Sequence, residues 1–303
     1  MSNTSKAENI IEVSNLTRRF KRTTALSSVT LNIPKGGVFG LVGENGAGKT
    51  TLIKHILGLY HAEEGGVQVF GHDPVESPEL VLANIGYLSE DRDIPTWMKI
   101  HELMSYTEAF YPKWDRVFAQ ELLDLFELDP HARISTLSRG QLAKAGLLSA
   151  LAHRPPLLVL DEPSSGLDPL VRRDILGAVI RTVADEGRTV LFSSHLLDEV
   201  ERVADRVGMI YHGQLVVNQP MDTLRANHHR MVVRTSENVG TSIFDEALSV
   251  QSDGTEHTII CDGKVDVIKA RIAESGGEIL EESSPSLEDI FVARAESTEP
   301  VES

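Results

Sequence analysis

The chain has 303 residues, of which 41% are hydrophobic and 24% charged, a balance that suits one large soluble globular domain or two ordinary ones. Its 29 basic and 45 acidic side chains leave a net charge of −16, which disfavours nucleic acid or an anionic membrane surface as the principal ligand. The single cysteine, Cys261, rules out an intrachain disulfide and a multi-cysteine zinc site. There is no basic-then-apolar leader, and the longest apolar stretch is cut by His153, Arg154, Pro155 and Pro156, so direct membrane insertion is not expected.

The first two-thirds of the chain alternate compact β-rich runs with helical patterns, which predicts an α/β fold with a mostly parallel sheet. VFGLVG (38–43) reads as a buried strand and TLIKHILGL (51–59) as the helix after it. Residues from about 92 to 150 read as a helical insertion, with HELMSYTEAFY and RVFAQELLDLFEL its clearest helices. LLVLDE (157–162), TVLFSS (189–194) and VGMIYHG (207–213) are further strands. The texture then changes. RMVVRT, HTIIC and GEILEE look like strands, and VDVIKARIAES and PSLEDIFVAR like helices, so a small α+β appendage is expected over 227–295 after a first domain at 1–226. The acidic end, 296–303, reads as a disordered tail. No internal repeat is present.

GENGAGKT, residues 43–50, stands between a strand and a helix in the spacing G-x-x-x-x-G-K-[ST]. Glycines there let backbone N–H groups close around an anion, a lysine reaches terminal phosphates, and a hydroxyl binds magnesium. A chain of this size matches the pattern by accident about once in a hundred, and the strand–helix context lowers that further. Gly43, Glu44, Asn45, Gly46, Ala47, Gly48, Lys49, Thr50 and Thr51 are therefore assigned to a nucleoside triphosphate site.

LLVLDEP ends a strand on two carboxylates. Asp161 is placed to hold magnesium with Thr50, and Glu162 to act as general base on an attacking water. A pair of solvated strand-end acids would be the plainer reading, but the phosphate loop favours the chemical one. SSGLDP (164–169) follows, then SSHLLDE (193–199), whose His195 lies just beyond a strand, where open α/β sheets bind ligands. LSRGQ (137–141) precedes an alanine- and leucine-rich run; Ser138 is a good N-cap, whereas Arg139 opposes the helix dipole unless something negative faces it.

Taken in order over residues 8–225, these motifs resemble the nucleotide-binding subunit of ATP-binding cassette transporters. GENGAGKT is similar to Walker A, LLVLDE to Walker B with catalytic Glu162, SSGLDP to the D-loop with Asp168 at a dimer seam, and LSRGQ to the LSGGQ signature. His195 resembles the switch histidine, and Phe20 stands where the family places an aromatic against adenine. GTP-binding proteins share the phosphate loop but carry an N-K-x-D motif, absent here. Two positions depart from the family pattern: Arg139 replaces a glycine, and Glu90, in IGYLSED, stands where the Q-loop has glutamine. Glu90 can ligate magnesium but cannot donate as an amide does, which leaves open γ-phosphate sensing, contact with a membrane partner, or plain solvation.

The resemblance implies ATP and Mg2+ as ligands and a homodimer, or a dimer with a paralogous ATPase subunit. In that dimer Ser138, Arg139, Gly140 and Gln141 of one copy face the ATP of the other. Arg139 would then either attract the γ-phosphate or point to solvent. The resemblance also implies separate membrane-spanning transporter subunits and a place on the cytoplasmic face of the membrane. PSLEDIFVAR and AFYPKWD resemble export-type bacterial subunits. A regulatory, non-transporting ATPase acting as a dimer switch is the alternative.

Overall fold

In the computed structural model, which describes residues 8–21, 23–236 and 241–298, two long strands come first: β1 (Asn9–Phe20) and β2 (Thr23–Pro34). They pair antiparallel, Ile11 against Ile33 and Val13 against Leu31, with register shifts after Val13 and Leu16. Asn15 and Ser28 take left-handed backbone at φ 47° and 50° beside those shifts. The bulges break the two-residue alternation, which is why neither strand was evident from pattern alone.

After these come β3 (Gly37–Val42), α1 (Lys49–Ile56), β4 (Glu64–Val69), the short α2 (Pro78–Leu82) and β5 (Ile85–Leu88). β4 adds to β1, completing a three-stranded antiparallel sheet of order β2-β1-β4. The helical insertion consists of α3 (Ile100–Glu108), α4 (Arg116–Leu125) and α5 (Arg139–Leu151). Asp115 caps α4, its carboxylate accepting from Phe118 N at 3.0 Å. Gly146 of α5 lies so close to β5 that a Cβ there would stand 2.7 Å from Leu88 Cδ1.

The chain continues through β6 (Leu157–Leu160), α6 (Pro169–Glu186), β7 (Thr189–Ser194), α7 (Leu197–Val203), β8 (Arg206–Tyr211) and β9 (Gln214–Pro220). β5, β6, β7, β3, β8 and β9 lie side by side in that order; the β5–β6, β6–β7, β7–β3 and β3–β8 pairs are parallel. Only His212 and Gly213 separate β8 from β9, a connection that makes the edge pair an antiparallel hairpin. The central strands are buried on both faces, hence their continuous apolar runs. One core joins Ile11, Val13 and Leu31 of the antiparallel sheet to Leu52 and Ile53 of α1 and Phe39, Val159 and Leu191 of the parallel sheet.

The chain divides into two compact units, 1–218 and 219–303, so the boundary falls inside β9, eight residues before the one expected at 226/227. The composition change at 227 marks the next strand; the helix ahead of it already belongs to the second unit. That unit contains α8 (Met221–Asn227), β10 (His228–Arg234), β11 (Ser249–Asp253), β12 (Glu256–Asp262), α9 (Val265–Glu274), β13 (Glu278–Ser283) and α10 (Leu287–Thr298). Its sheet, β11-β12-β10-β13, is antiparallel throughout. Ile268 and Ile272 of α9 pack with Met231, Val233, Phe244, Ile259 and Cys261. Burial pushes the Cys261 thiol up to about 11, as expected of an inert packing residue. Residues 296–298, expected in a disordered tail, complete α10 instead, because Leu287, Ile290, Phe291 and Ala293 anchor that helix; 299–303 lie outside the described residues.

Each unit has its own apolar core, so a chain ended after Pro220, which keeps β9 whole, is expected to fold and retain nucleotide binding close to that of the full chain. Calorimetric titration and thermal melting of that truncation check it; insolubility at several nearby end points would count against the division.

Candidate active site

The parallel register brings Gly43, Asp161 and His195 to one edge, because Val42 pairs with Ser194 and Leu160 with Phe192. The loop after β3 curls back so that α1 begins at Lys49 with Gly48 as N-cap at φ 117°. A Cβ at Gly48 would stand 2.5 Å from the Ala25 carbonyl oxygen, so only glycine fits this turn. The free N–H groups of α1 point toward the loop, the arrangement that favours phosphate.

A cleft of about 230 Å³ is lined by Glu44, Asn45, Gly46, Gly48, Lys49, Thr50, Thr51, Glu90 and Glu162. Gly43 and Ala47 do not line it. Ala47 is buried in the core, and its N–H donates to the Glu44 carbonyl at 3.1 Å. The Lys49 ammonium donates to the carbonyls of Gly43 (2.6 Å) and Glu44 (3.1 Å), and lies 3.0 Å from Glu162 Oε1.

Asp161 and Glu162 follow β6, both almost fully buried at 1% and 3% exposure. Glu162 is in left-handed backbone at φ 48°, a conformation that costs energy in any residue with a Cβ and that clusters at functional sites. Its Oε2 is 2.7 Å from His195 Nδ1 and accepts from His195 N at 3.3 Å. One carboxylate is thus held between a lysine and a histidine. Ser193 ties the pair from below: its hydroxyl donates to Asp161 Oδ1 (2.7 Å) and accepts from Glu162 N (2.9 Å). Burial raises the Asp161 pKa, and hydrogen bonds from Ser193 and Thr50 oppose that rise.

Glu90 lies on the same cleft as Glu162 and, on its other side, shares a second cleft with Thr50 and Asp161. Desolvation first, and then the charges of Asp161 and Glu162, push its carboxyl up. Among the described residues, no three His, Cys, Asp or Glu side chains form a metal-binding group. Magnesium in nucleotide sites takes one or two carboxylates and completes its octahedron with water and phosphate. The Thr50 hydroxyl, hydrogen-bonded to Asp161 with Glu90 close by, fits that demand.

The other assigned residues lie further out. Ser138 caps α5: its Oγ accepts from Gln141 N (3.2 Å) and Gln141 Oε1 accepts from Ser138 N (3.0 Å), a reciprocal capping box. Gly140 is buried against α6, where a Cβ would meet Val171 Cγ2 at 2.8 Å. Arg139 is exposed, next to Gly166 and near Arg92, with no carboxylate at ion-pair distance among the described residues. Asp168 caps α6, accepting from Leu170 N and Val171 N at 3.0 and 3.1 Å. Phe20 is 37% exposed at the end of β1; it meets Tyr60 edge-on at 5.7 Å and lies under the Arg18 guanidinium at 4.7 Å. It does not line the phosphate-loop cleft.

Sequence reasoning missed the second layer. Glu199, 1% exposed, accepts from Ser164 and Ser194, and Arg92 Nη2 donates to the Ser165 carbonyl at 2.7 Å. The motifs SSGLDP and SSHLLDE contain all of these residues but Arg92, yet only a fold shows that Ser164 and Ser194 face one carboxylate.

Comparison with known proteins agrees with this architecture. Residues 26–165 match the ABC transporter family. The chain is 34% identical over 230 residues to the daunorubicin/doxorubicin resistance ATP-binding protein DrrA of Streptomyces peucetius, covering 74% of this chain and 69% of that one. It is 28% identical over 294 residues to the bacitracin transport ATP-binding protein BcrA of Enterococcus faecalis, covering 94% and 96%. A solved structure of the ATP binding subunit of an ABC transporter, 27% identical, superimposes with a TM-score of 0.66 over 72% of this chain and 92% of that one. The chain therefore belongs to the ATP-binding cassette transporter family, as an ATP-binding subunit, and it is an ATPase.

Proposed function

We propose that the protein energises separate membrane-spanning subunits of an exporter through ATP-driven closure of a dimer of such subunits. The observation that carries this reading is the Glu162 carboxylate, held 3.0 Å from Lys49 and 2.7 Å from His195 at the mouth of the phosphate loop. The relatives named for bacitracin transport and for daunorubicin/doxorubicin resistance support the direction of transport.

In this mechanism the loop N–H groups and Lys49 bind the β- and γ-phosphates, and the Phe20 edge takes the adenine. Thr50 and Asp161, with Glu90, hold magnesium, which neutralises charge on the transferring phosphate when bound. Glu162 accepts the proton of the attacking water, and His195 orients its carboxylate. Ser138 and the first N–H groups of α5 receive the γ-phosphate of the opposing subunit, with Asp168 near the seam. Arg139 and Arg92, two cations side by side, favour an anion in front of them. Trp97, Tyr106 and Phe110, exposed at 70%, 48% and 64%, give the helical insertion an apolar surface for a membrane subunit. Among the described residues no helix is long and apolar enough to cross a membrane. In this reading the subunit acts from the cytoplasmic face, through its partners.

Glu162→Gln is expected to bind ATP almost normally while steady-state hydrolysis falls ~10²-fold or more, the scale of losing a positioned base. Turnover at the wild-type rate would remove Glu162 from that role. Lys49→Ala is expected to abolish both magnesium-ATP binding and hydrolysis; unchanged affinity in a nucleotide titration would exclude Lys49 from the phosphate site. Arg139→Gly is expected to leave monomer ATP affinity unchanged but to weaken ATP-dependent dimerisation in the Glu162→Gln background, with the difference shrinking at high salt. Sedimentation of the two variants at low and high salt measures this, and equal dimerisation at both would mean that Arg139 faces solvent.

A further inference from the structure

β6 and β7 stop pairing at Leu160 and Phe192, before the residues that carry the chemistry. Glu162 and His195 both lie beyond the sheet, one on a strained turn after β6 and the other immediately after β7. Their mutual placement at 2.7 Å therefore depends on side chains. Ser193 provides one tie, already described. The second is a carboxylate on α7 outside the phosphate-loop cleft.

Glu199 Oε2 accepts from Ser164 Oγ at 2.5 Å and from Ser194 Oγ at 3.3 Å. Ser164 is two residues beyond Glu162, and Ser194 immediately precedes His195. Ser194 Oγ in turn accepts from Leu196 N at 3.0 Å, so the chain is fastened on both sides of the histidine. The other oxygen, Oε1, lies 3.0 Å from Arg172 Nε of α6, a charge contact without hydrogen-bond alignment. Arg172 Nη2 donates to the Leu167 carbonyl at 3.4 Å, in the same segment as Ser164. A carboxylate that is 1% exposed is costly to bury, and one that only anchored a surface helix would have no need to reach two loops. Burial raises the Glu199 pKa, and Ser164 and Arg172 oppose that rise.

We propose that Glu199 is a positioning residue for ATP hydrolysis: it clamps the segment after Glu162 to the segment carrying His195 and so keeps base and histidine in register. This rests on the reading of Glu162 as the base. Misplacement of a reacting group by about 1 Å can cost ~10²-fold in rate, so a clamp outside the cleft can govern turnover without touching nucleotide.

The test is steady-state magnesium-ATP hydrolysis by the full-length chain carrying Glu199→Gln, Ser164→Ala, the double substitution, and Glu162→Gln in parallel. Glutamine has the same shape, but it must turn an amide donor either toward Arg172, itself only a donor, or toward the serines. Expected for Glu199→Gln is a kcat about tenfold lower, with KM for ATP and melting temperature close to wild type. Ser164→Ala should lower kcat in the same direction, and the double variant should fall no further than Glu199→Gln, because both remove one hydrogen bond. A wild-type kcat in Glu199→Gln overturns the clamp, as does a loss matched by a parallel rise in KM or by a smaller folded fraction. Should Glu199→Gln fail to fold, a wild-type kcat in Ser164→Ala overturns it alone. Full activity in Glu162→Gln would remove the base assignment and the clamp with it, whereas an inactive Glu162→Gln beside a fully active Glu199→Gln overturns the clamp only.

Discussion

A carboxylate as buried as Glu162 is tolerable only where neighbouring groups replace the water it has lost. Here Lys49 stands on one oxygen, and His195, by ring nitrogen and backbone N–H, on the other. These groups come from the start of α1, which follows the loop after β3, and from the ends of β6 and β7; the three strands lie adjacent in the parallel sheet. Parallel pairing is what lets all three chains leave the sheet at the same edge. The antiparallel β1-β2-β4 sheet and α1 share the core beneath that edge and keep it from shifting.

Strain and restraint occur together at this edge. Gly48 adopts a backbone conformation that its neighbours would deny to any larger residue, and Glu162 takes a left-handed turn despite its side chain. Such conformations persist only when the surroundings over-determine them. Ser193 below Asp161 and Glu162, and Glu199 beyond Ser164 and Ser194, supply that determination through buried hydrogen bonds of serine hydroxyls to carboxylates and to the Glu162 N–H. In a water-poor setting each such bond is strong, and losing one partner leaves the other exposed to the full cost of burial.

The signature helix follows a different logic. Ser138 and Gln141 close a capping box from residues three apart, so the start of α5 is secured locally, whatever lies in front of it. Arg139 contributes nothing to that closure. Gly166 lies beside its guanidinium, and a second cation, Arg92, is near enough to feel its charge. The second unit, with its own antiparallel sheet and core, shares neither the phosphate loop nor the residues around it.

Wherever the candidate site rests on contiguous residues, its local structure was legible in the sequence. The phosphate loop, the Asp161–Glu162 pair, the Ser138 cap and the buried parallel strands are all local patterns, set by glycine's freedom, by hydroxyl reach and by apolar runs. The strands β1 and β2 were not legible, since bulges at Asn15 and Ser28 break the alternation that marks a half-buried strand. Nor was the boundary within β9, because a chain division depends on which core each residue joins and not on a change of composition. The Lys49–Glu162–His195 arrangement and the Glu199 clamp were beyond reach for a further reason. Their partners stand 113, 33 and 35 positions apart, and only the sheet order decides which distant loops meet. Sequence by itself determined which residues are candidates for chemistry with phosphate. Tertiary structure alone decided which of them meet, because polar contacts act over about 3 Å and take no account of distance along the chain.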